Sequence, residues 1–494
     1  MMLLVGRAGR RVGTVATTTV AVIVLGVLSA QAAVPVTRIV EDPFTNSTSQ
    51  HQAAVEPDTF AFGTTMVVAT QSGRFFDGGA SDIAYATSTD SGATWAQGTL
   101  PGITVTGGGG TFARVSDPSV AYDAAHAVWL ISSVPITAAV TVPKVLVNRS
   151  TNGGRTFGNP VTVAALGTSL DKNWTVCDNH PASPFYGHCY TQFDDSADGQ
   201  RLKVSTSADG GLTWGPARNT GNNAFGLGGQ PVVQPNGTVI IPAANANESA
   251  IIAWRSSDGG TSWSATVTVS GVADHAPAAN LRSGPLPSAE IDAAGKVYVA
   301  WQDCRFRLGC ESNDIVFSTS TDGLAWSAVT RVPIDATTSS VDHFIPGLGV
   351  DPATSGATAK LGLTYYFYRS TSCGKPANPC QLEVGYIQSN NGGSTWSNHI
   401  DVAGPFDVAL TPNTSQGRMV GDYISTSWVG GKAFGAFAVA KAPSAGFAFD
   451  QAIYVPTGGL TAAAAGSVNT SHGEHPVAGA ASDHAAPTSP IRNR

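Results

Sequence analysis

The stretch "SADGGLTW" (residues 207–214) decides the fold, because it recurs. Variants of it stand at 88–95 ("STDSGATW"), 150–157 ("STNGGRTF"), 256–263 ("SSDGGTSW"), 320–326 ("STDGLAW", one residue short) and 389–396 ("SNNGGSTW"). The final aromatics are 62, 57, 49, 63 and 70 residues apart, a period near 60. Each copy follows an alternating strand pattern, as in "DIAYATS" (82–88), "RLKVSTS" (201–207) and "DIVFSTS" (314–320). Upstream lies a hairpin of two apolar runs, such as "PVVQPNGTVIIPA" (231–243), and a short fourth run such as "PVTV" (160–163) follows the box. Four antiparallel strands in each repeat of this length make one blade of a β-propeller. Local chemistry gives the repeated phrase a structural role. An Asp or Asn in a turn caps backbone N–H groups, Gly takes positive φ, and the aromatic buries itself between sheets.

These phrases resemble the Asp box, S-x-D-x-G-x-T-W, of the sialidase-like (BNR) propellers. The expected fold class is therefore all-β, a β-propeller of four-stranded antiparallel blades carrying six boxes. The region after the last box, "GRMVGDYISTSWVGGKAFGAFAVAK" (417–441) with "FDQAIYVP" (449–456), reads as three further strands. The N-terminal "VPVTRIVED" (34–42) can supply their fourth strand. This predicts seven blades with the ring closed by the N-terminus, with six, as in sialidases, as the alternative.

Residues 1–33 read as a signal peptide, with Arg7, Arg10 and Arg11 ahead of an apolar stretch and "SAQAA" as cleavage site, so a secreted protein is expected. The propeller then covers 34–459, and the small, polar, aperiodic stretch 460–494 reads as a disordered tail. Six cysteines fall into three close pairs, Cys177/Cys189, Cys304/Cys310 and Cys373/Cys380, which in an exported chain read as local disulfides. Only 12% of residues are charged and the net charge is −7, so no basic block favours nucleic acid. No segment after the first 33 residues is apolar enough to span a membrane.

In a propeller the loops between second and third strands, and from each fourth strand into the next blade, share one face around the axis. Much of this chain's charge gathers in them: Arg74, Arg114, Arg282, Arg305, Arg307, Arg369 and Arg418, with Asp77, Asp82, Asp117, Asp303 and Asp342. Guanidinium forks bind carboxylates bidentately, which suits an acidic sugar. The resemblance extends to particular residues. "SGRFFDGGASD" (72–82) is similar to the family's first-blade loop, implying Arg74 for binding and Asp77 or Asp82 as acid/base. "DYISTSWVGGKAFGAF" (422–437) resembles the phrase that opens on its tyrosine nucleophile, implying Tyr423. "VYVAWQDCR" (297–305) implies Arg305 as a triad arginine, with Arg369 or Arg418 as a further one. Glu290 is the base nearest to the family's expected position, which Leu286 occupies, and the first-blade arginine motif is missing from "VEPDTFAFG" (55–63).

No cofactor is implied, although Asp303, Glu311 and Asp314 offer oxygen ligands to Ca²⁺ without EF-hand spacing. What the resemblance implies is a secreted glycoside hydrolase of sialidase type with a glycan partner, acting on a terminal, acidic or related sugar. The alternative is a non-catalytic glycan- or protein-binding propeller.

Overall fold

The computed structural model describes residues 34–462 except 168 and 445, together with the backbone of 468–469. The expected signal peptide, and the expected tail beyond 462 apart from that pair, lie outside the described residues.

Seven four-stranded antiparallel blades follow one another along the chain. The second, third and outer strands of blade 1 are Thr65–Arg74, Ala80–Ser88 and Ala96–Thr99, stacked outward from the innermost Gln50–Phe62. The innermost strands of the next blades are Arg114–Asp123, Leu170–Cys177, the split pair Gly226–Leu227 and Val232–Val233, Ser288–Ile291, and Asp342–Val350. Blade 7 consists of Ser425–Val429, Lys432–Ala440 and Gln451–Pro456, and its outer strand is the N-terminal Val36–Val40. Val36 pairs with Pro456 and Val40 with Ile453, so the ring is closed by residues from both ends of the propeller. This is the seven-bladed arrangement that the repeat spacing predicts. Leu460, assigned to the tail from sequence, is buried and exchanges backbone hydrogen bonds with Ala433. Those bonds, and the packing of Leu460 in the same apolar core as Ala433, tie residue 460 to the propeller.

Apolar side chains fill the gaps between consecutive sheets. Tyr85, Trp129 and Ile131 pack between blades 1 and 2, Trp254 with Tyr190 between 3 and 4, and Trp301 with Ile240 between 4 and 5. Trp254 and Trp301 are fully buried, and each such side chain contributes roughly 1.5–3 kcal/mol by leaving water. All three cysteine pairs are disulfides. Cys177–Cys189 braces the first hairpin of blade 3, while the other two close second-to-third-strand loops of blades 5 and 6. Among the described residues no helix is long and apolar enough to cross a membrane.

The recurring phrase forms the same turn six times, between third and outer strands. The Ser Oγ lies 2.8–3.2 Å from the Asp or Asn Oδ1 two residues on. That Oγ accepts a glycine N–H at 2.8–3.0 Å. The Oδ1 then accepts a later turn N–H at 2.8–3.0 Å. In the 207–214 copy Asp209 also accepts from Leu212 N at 3.0 Å and from Thr213 Oγ1 at 2.5 Å. The acid is spent on its own turn.

Near the axis a different set of hydrogen bonds ties blade to blade. Asp58 accepts from Val120 N of blade 2 at 2.6 Å and from Ser425 Oγ of blade 7 at 2.8 Å, and Ser425 Oγ in turn accepts from Thr59 N at 2.6 Å. Ser119 accepts from Thr175 N at 3.0 Å, Gln230 from Ala289 N at 2.9 Å, and Ser288 from Leu348 N at 3.0 Å. Asp58→Ala strands a buried N–H at the ring closure and should cost about 3 kcal/mol, against about 1 kcal/mol for Asp209→Ala on its solvated turn, as read from denaturant unfolding.

Candidate functional site at the axial mouth

Four innermost strands break register at the same level. Shifts fall between Val55 and Asp58, Ser116 and Ser119, Asp171 and Trp174, and Phe344 and Gly347. At each break one non-glycine residue takes left-handed φ: Glu56 at 54°, Asp117 at 52°, Lys172 at 47° and Ile345 at 51°. Proline follows three of them (Pro57, Pro118 and Pro346) and Asn173 follows Lys172. Such a bulge re-aims its side chain, and left-handed φ in a bulky residue is a strain that folds retain mainly at working sites.

Three of the re-aimed residues are charged, and they meet at the end of the axis where the second-to-third-strand loops lie. Lys172 Nζ is ion-paired to Asp422 of blade 7 and lies 3.8 Å from Glu56 Oε1. Arg282, on the loop entering blade 5, forks onto Asp422, with Nε at 2.6 Å from Oδ1 and Nη2 on Oδ2. Glu56 Oε1 accepts from Asp422 N at 3.1 Å, its Oε2 accepts from Gln71 Nε2, and its backbone N–H donates to Val420 O at 3.1 Å. This close join between blades 7 and 1 requires Gly421, where a Cβ would sit 2.9 Å from Glu56 Cα. Asp117 accepts from Lys172 N at 3.1 Å. Arg74 completes the group, donating to Gly79 O at 2.6 Å and to Met419 Sδ at 3.1 Å. Tyr423 and Trp174 wall it, ring edge to ring face at 5.1 Å.

Burial and charge push these groups apart. Burial raises the Glu56 carboxyl to about 7 against the opposing charge of Lys172. Asp422 is also buried, yet Arg282 and Lys172 outweigh burial and hold it far below the ordinary carboxylate range. Burial works against the Lys172 ammonium, but Asp422, Asp117 and Glu56 together hold its pKa above that of a free lysine. Arg74 is lowered to about 10, by burial first and by Arg282 second.

Of the residues nominated from sequence, Tyr423 and Arg74 lie in this group. Tyr423 Oη donates to Pro118 O at 2.9 Å, and burial, with the surrounding carboxylates, pushes its phenol well above 10. Glu290 is half-buried on the innermost strand of blade 5, raised to about 8 by burial and by Asp58. Arg418 donates to Thr411 O at 2.7 Å. The others are engaged elsewhere. Asp77 is held by Arg114, whose hydrogen bonds and charge keep it below the usual value despite partial burial. Asp82 is fully buried within blade 1, accepts from Ile83 N at 2.9 Å, and is raised to about 8 by burial. Arg305 forks onto Asp303 at 2.9 and 2.7 Å, and Arg369, largely exposed, bridges Glu383 at 2.6 Å and Asp401 at 2.8 Å.

Two of the three carboxylates considered for Ca²⁺, Asp303 and Asp314, already face cations. Asp303 holds Arg305. Asp314, Asp335 and His343 place ligand atoms within 4.8 Å of one another, but Arg307 and Arg331 sit on both carboxylates at 2.5–2.7 Å. Glu56, Lys172 and Asp422 were not legible as site residues. Their signal is a charged residue interrupting an apolar strand before Pro or Asn, as in "VEPD" (55–58) and "LDKN" (170–173), or after Gly, as in "VGDY" (420–423).

No family model and no curated protein matches the chain. Solved structures do. An ulvan lyase of polysaccharide lyase family PL25 aligns over 86% of this chain and 96% of its own, at 11% identity and TM-score 0.50. The Hadza microbial sialidase Hz136 aligns over 63% of each chain at 17% identity, TM-score 0.44. The Trypanosoma rangeli sialidase aligns over 71% of this chain and 60% of its own at 14% identity, TM-score 0.41. The chain thus spans less than two thirds of either sialidase. At these identities the likeness is one of fold, and these neighbours are glycan-active propellers.

A native pKa above the unfolded value means that the folded state binds the extra proton. The stability Glu56 contributes is therefore complete below pH about 4.5 and lost as pH rises through about 7. Urea unfolding between pH 5 and 8 should show stability falling with pH, with a shallower fall in Glu56→Gln.

Proposed function

We propose that this protein is a secreted, glycan-active β-propeller of glycoside-hydrolase type, working at the axial mouth with Glu56 as its general acid/base. The single observation that carries this reading is the divergence of two neighbouring carboxyls: Glu56, raised to about 7, can hold a proton at neutral pH, while Asp422 stays ionised. Glycosidic cleavage needs such a division, one carboxyl protonating the leaving oxygen and another group stabilising the positive charge that develops on the sugar ring. Asp422 supplies that fixed negative charge, and Trp174 and Tyr423 supply the flat wall. Tyr423 stands near Glu56 as a nucleophile would, but its proton is committed to the Pro118 carbonyl, so proton transfer falls to Glu56.

A second reading, a non-catalytic glycan binder, is favoured by one feature: Lys172 and Arg282 are both already paired with Asp422. Release of chromophore from a panel of aryl glycosides separates the two. For the enzyme, Glu56→Gln should lower kcat/KM by at least about 100-fold, and the wild-type kcat/KM should decline above pH about 7 as Glu56 loses its proton. Absence of turnover across the panel, together with retained binding on a glycan array, would establish the binder.

A further inference from the structure

Two side chains of blade 3 carry polar groups that the fold leaves without a partner. Gln192 and Asp194 alternate on its second strand, Cys189–Asp195, and so share one face of the sheet. Tyr190, on the same face, packs into the core against blade 4. Both residues are fully buried, yet neither amide atom of Gln192 meets a hydrogen-bond partner in the protein, and the Asp194 carboxyl meets none beyond its own backbone N–H. Each unpaired atom costs about 1–3 kcal/mol, and a buried amide with both polar atoms unpaired, beside a carboxyl that no other residue hydrogen-bonds, calls for an explanation.

Their surroundings point to the mouth. Gln192 stands opposite Trp174 and Asp194 opposite Asp171, on the strand that bears Lys172. Trp174 is partly exposed and meets Tyr423 edge-on. The carboxamide of Gln192 lies against blade 4 at Gly229, where a Cβ would sit 2.7 Å from its Oε1. An indole and, buried behind it, an amide and a carboxyl therefore flank one side of the axial site.

We propose that Gln192 and Asp194 form a hydroxyl-recognition subsite, and that the ring seated there is a neutral sugar presenting adjacent hydroxyl groups. The proposal rests on reading the mouth as a glycan site and names its substrate class. An amide offers two donors and an acceptor, and a carboxyl accepts from one hydroxyl while donating to or accepting from the next, matching a vicinal diol. Residues two apart on one strand face stand roughly 7 Å apart along the chain, within reach of neighbouring ring substituents. Burial above all raises the Asp194 carboxyl well above the ordinary carboxylate range, with Lys172 opposing and Asp117 and Asp195 assisting. A sugar carboxylate would meet these acids, while the nearby cations Lys172 and Arg282 are committed to Asp422.

The test is calorimetric titration of the full chain with methyl glycosides of galactose, glucose, rhamnose and xylose, and with those of glucuronate and N-acetylneuraminate. At least one neutral glycoside should bind about 10-fold tighter than either acidic one. Gln192→Ala and Asp194→Ala should each weaken it about 10-fold, as lost buried hydrogen bonds do. Gly229→Ala, which places a methyl where the carboxamide lies, should weaken it similarly while unfolding stays cooperative, and keeps the test open if Asp194→Ala fails to fold. Asp209→Ala, in a turn on the opposite face, should bind as the wild type does. Binding by no member of the panel, tightest binding by an acidic glycoside, or indifference to both Gln192→Ala and Gly229→Ala would overturn the proposal. Neutral-sugar binding with these dependences but without turnover of any aryl glycoside would sink the hydrolase reading alone. Turnover indifferent to Gln192 and Asp194 would sink the subsite alone.

Discussion

The ring depends on the Asp58 carboxylate. It accepts one hydrogen bond from the backbone of blade 2 and one from a serine of blade 7, while its own strand belongs to blade 1. Three blades that meet where the circle closes are thereby held at one height along the axis. Burial raises this carboxyl to about 7, so the bonds it accepts work against the cost of taking it out of water. The apolar cores between sheets supply most of the cohesion but little direction. Side-chain bonds from one innermost strand to the next set the register between blades.

The functional geometry grows from the same innermost strands. A flat strand would point alternate side chains into the two flanking cores. The bulges at Glu56, Asp117 and Lys172 instead bring charged residues to the mouth, where Asp422 and Arg282 meet them. Burial in that crowded recess then separates the ionisation of groups that would titrate together in water. Glu56 is lifted toward neutrality because it is buried. Asp422 is held down because two cations face it in the same low-dielectric space.

Much of the architecture was legible in the chain because its signals are local. Ser207, Asp209, Gly211 and Thr213 build their turn within seven residues, and the five related turns repeat the same bonds at other positions. The N-terminal closure was readable too, since three strands after the last turn lacked a fourth and "VPVTRIVED" had no other blade to join. The candidate site was legible only in part. Tyr423 and Arg74 fall in the axial group, whereas Arg305 and Arg369 are bound to carboxylates that sequence gave no reason to assign to them. Glu56 was passed over because a glutamate before proline in an apolar strand does not announce which way its side chain will turn.

By itself, then, the amino-acid sequence determined the blade, its period and the face on which loops gather. Each of these follows from hydrogen bonds and apolar alternation among residues close together in the chain. Only the tertiary structure decided which charges meet, because Glu56 and the backbone N–H of Asp422 that it receives are 366 residues apart. The ionisation of those charges was likewise a tertiary matter, since burial and the nearness of opposite charge exist only once the ring has closed.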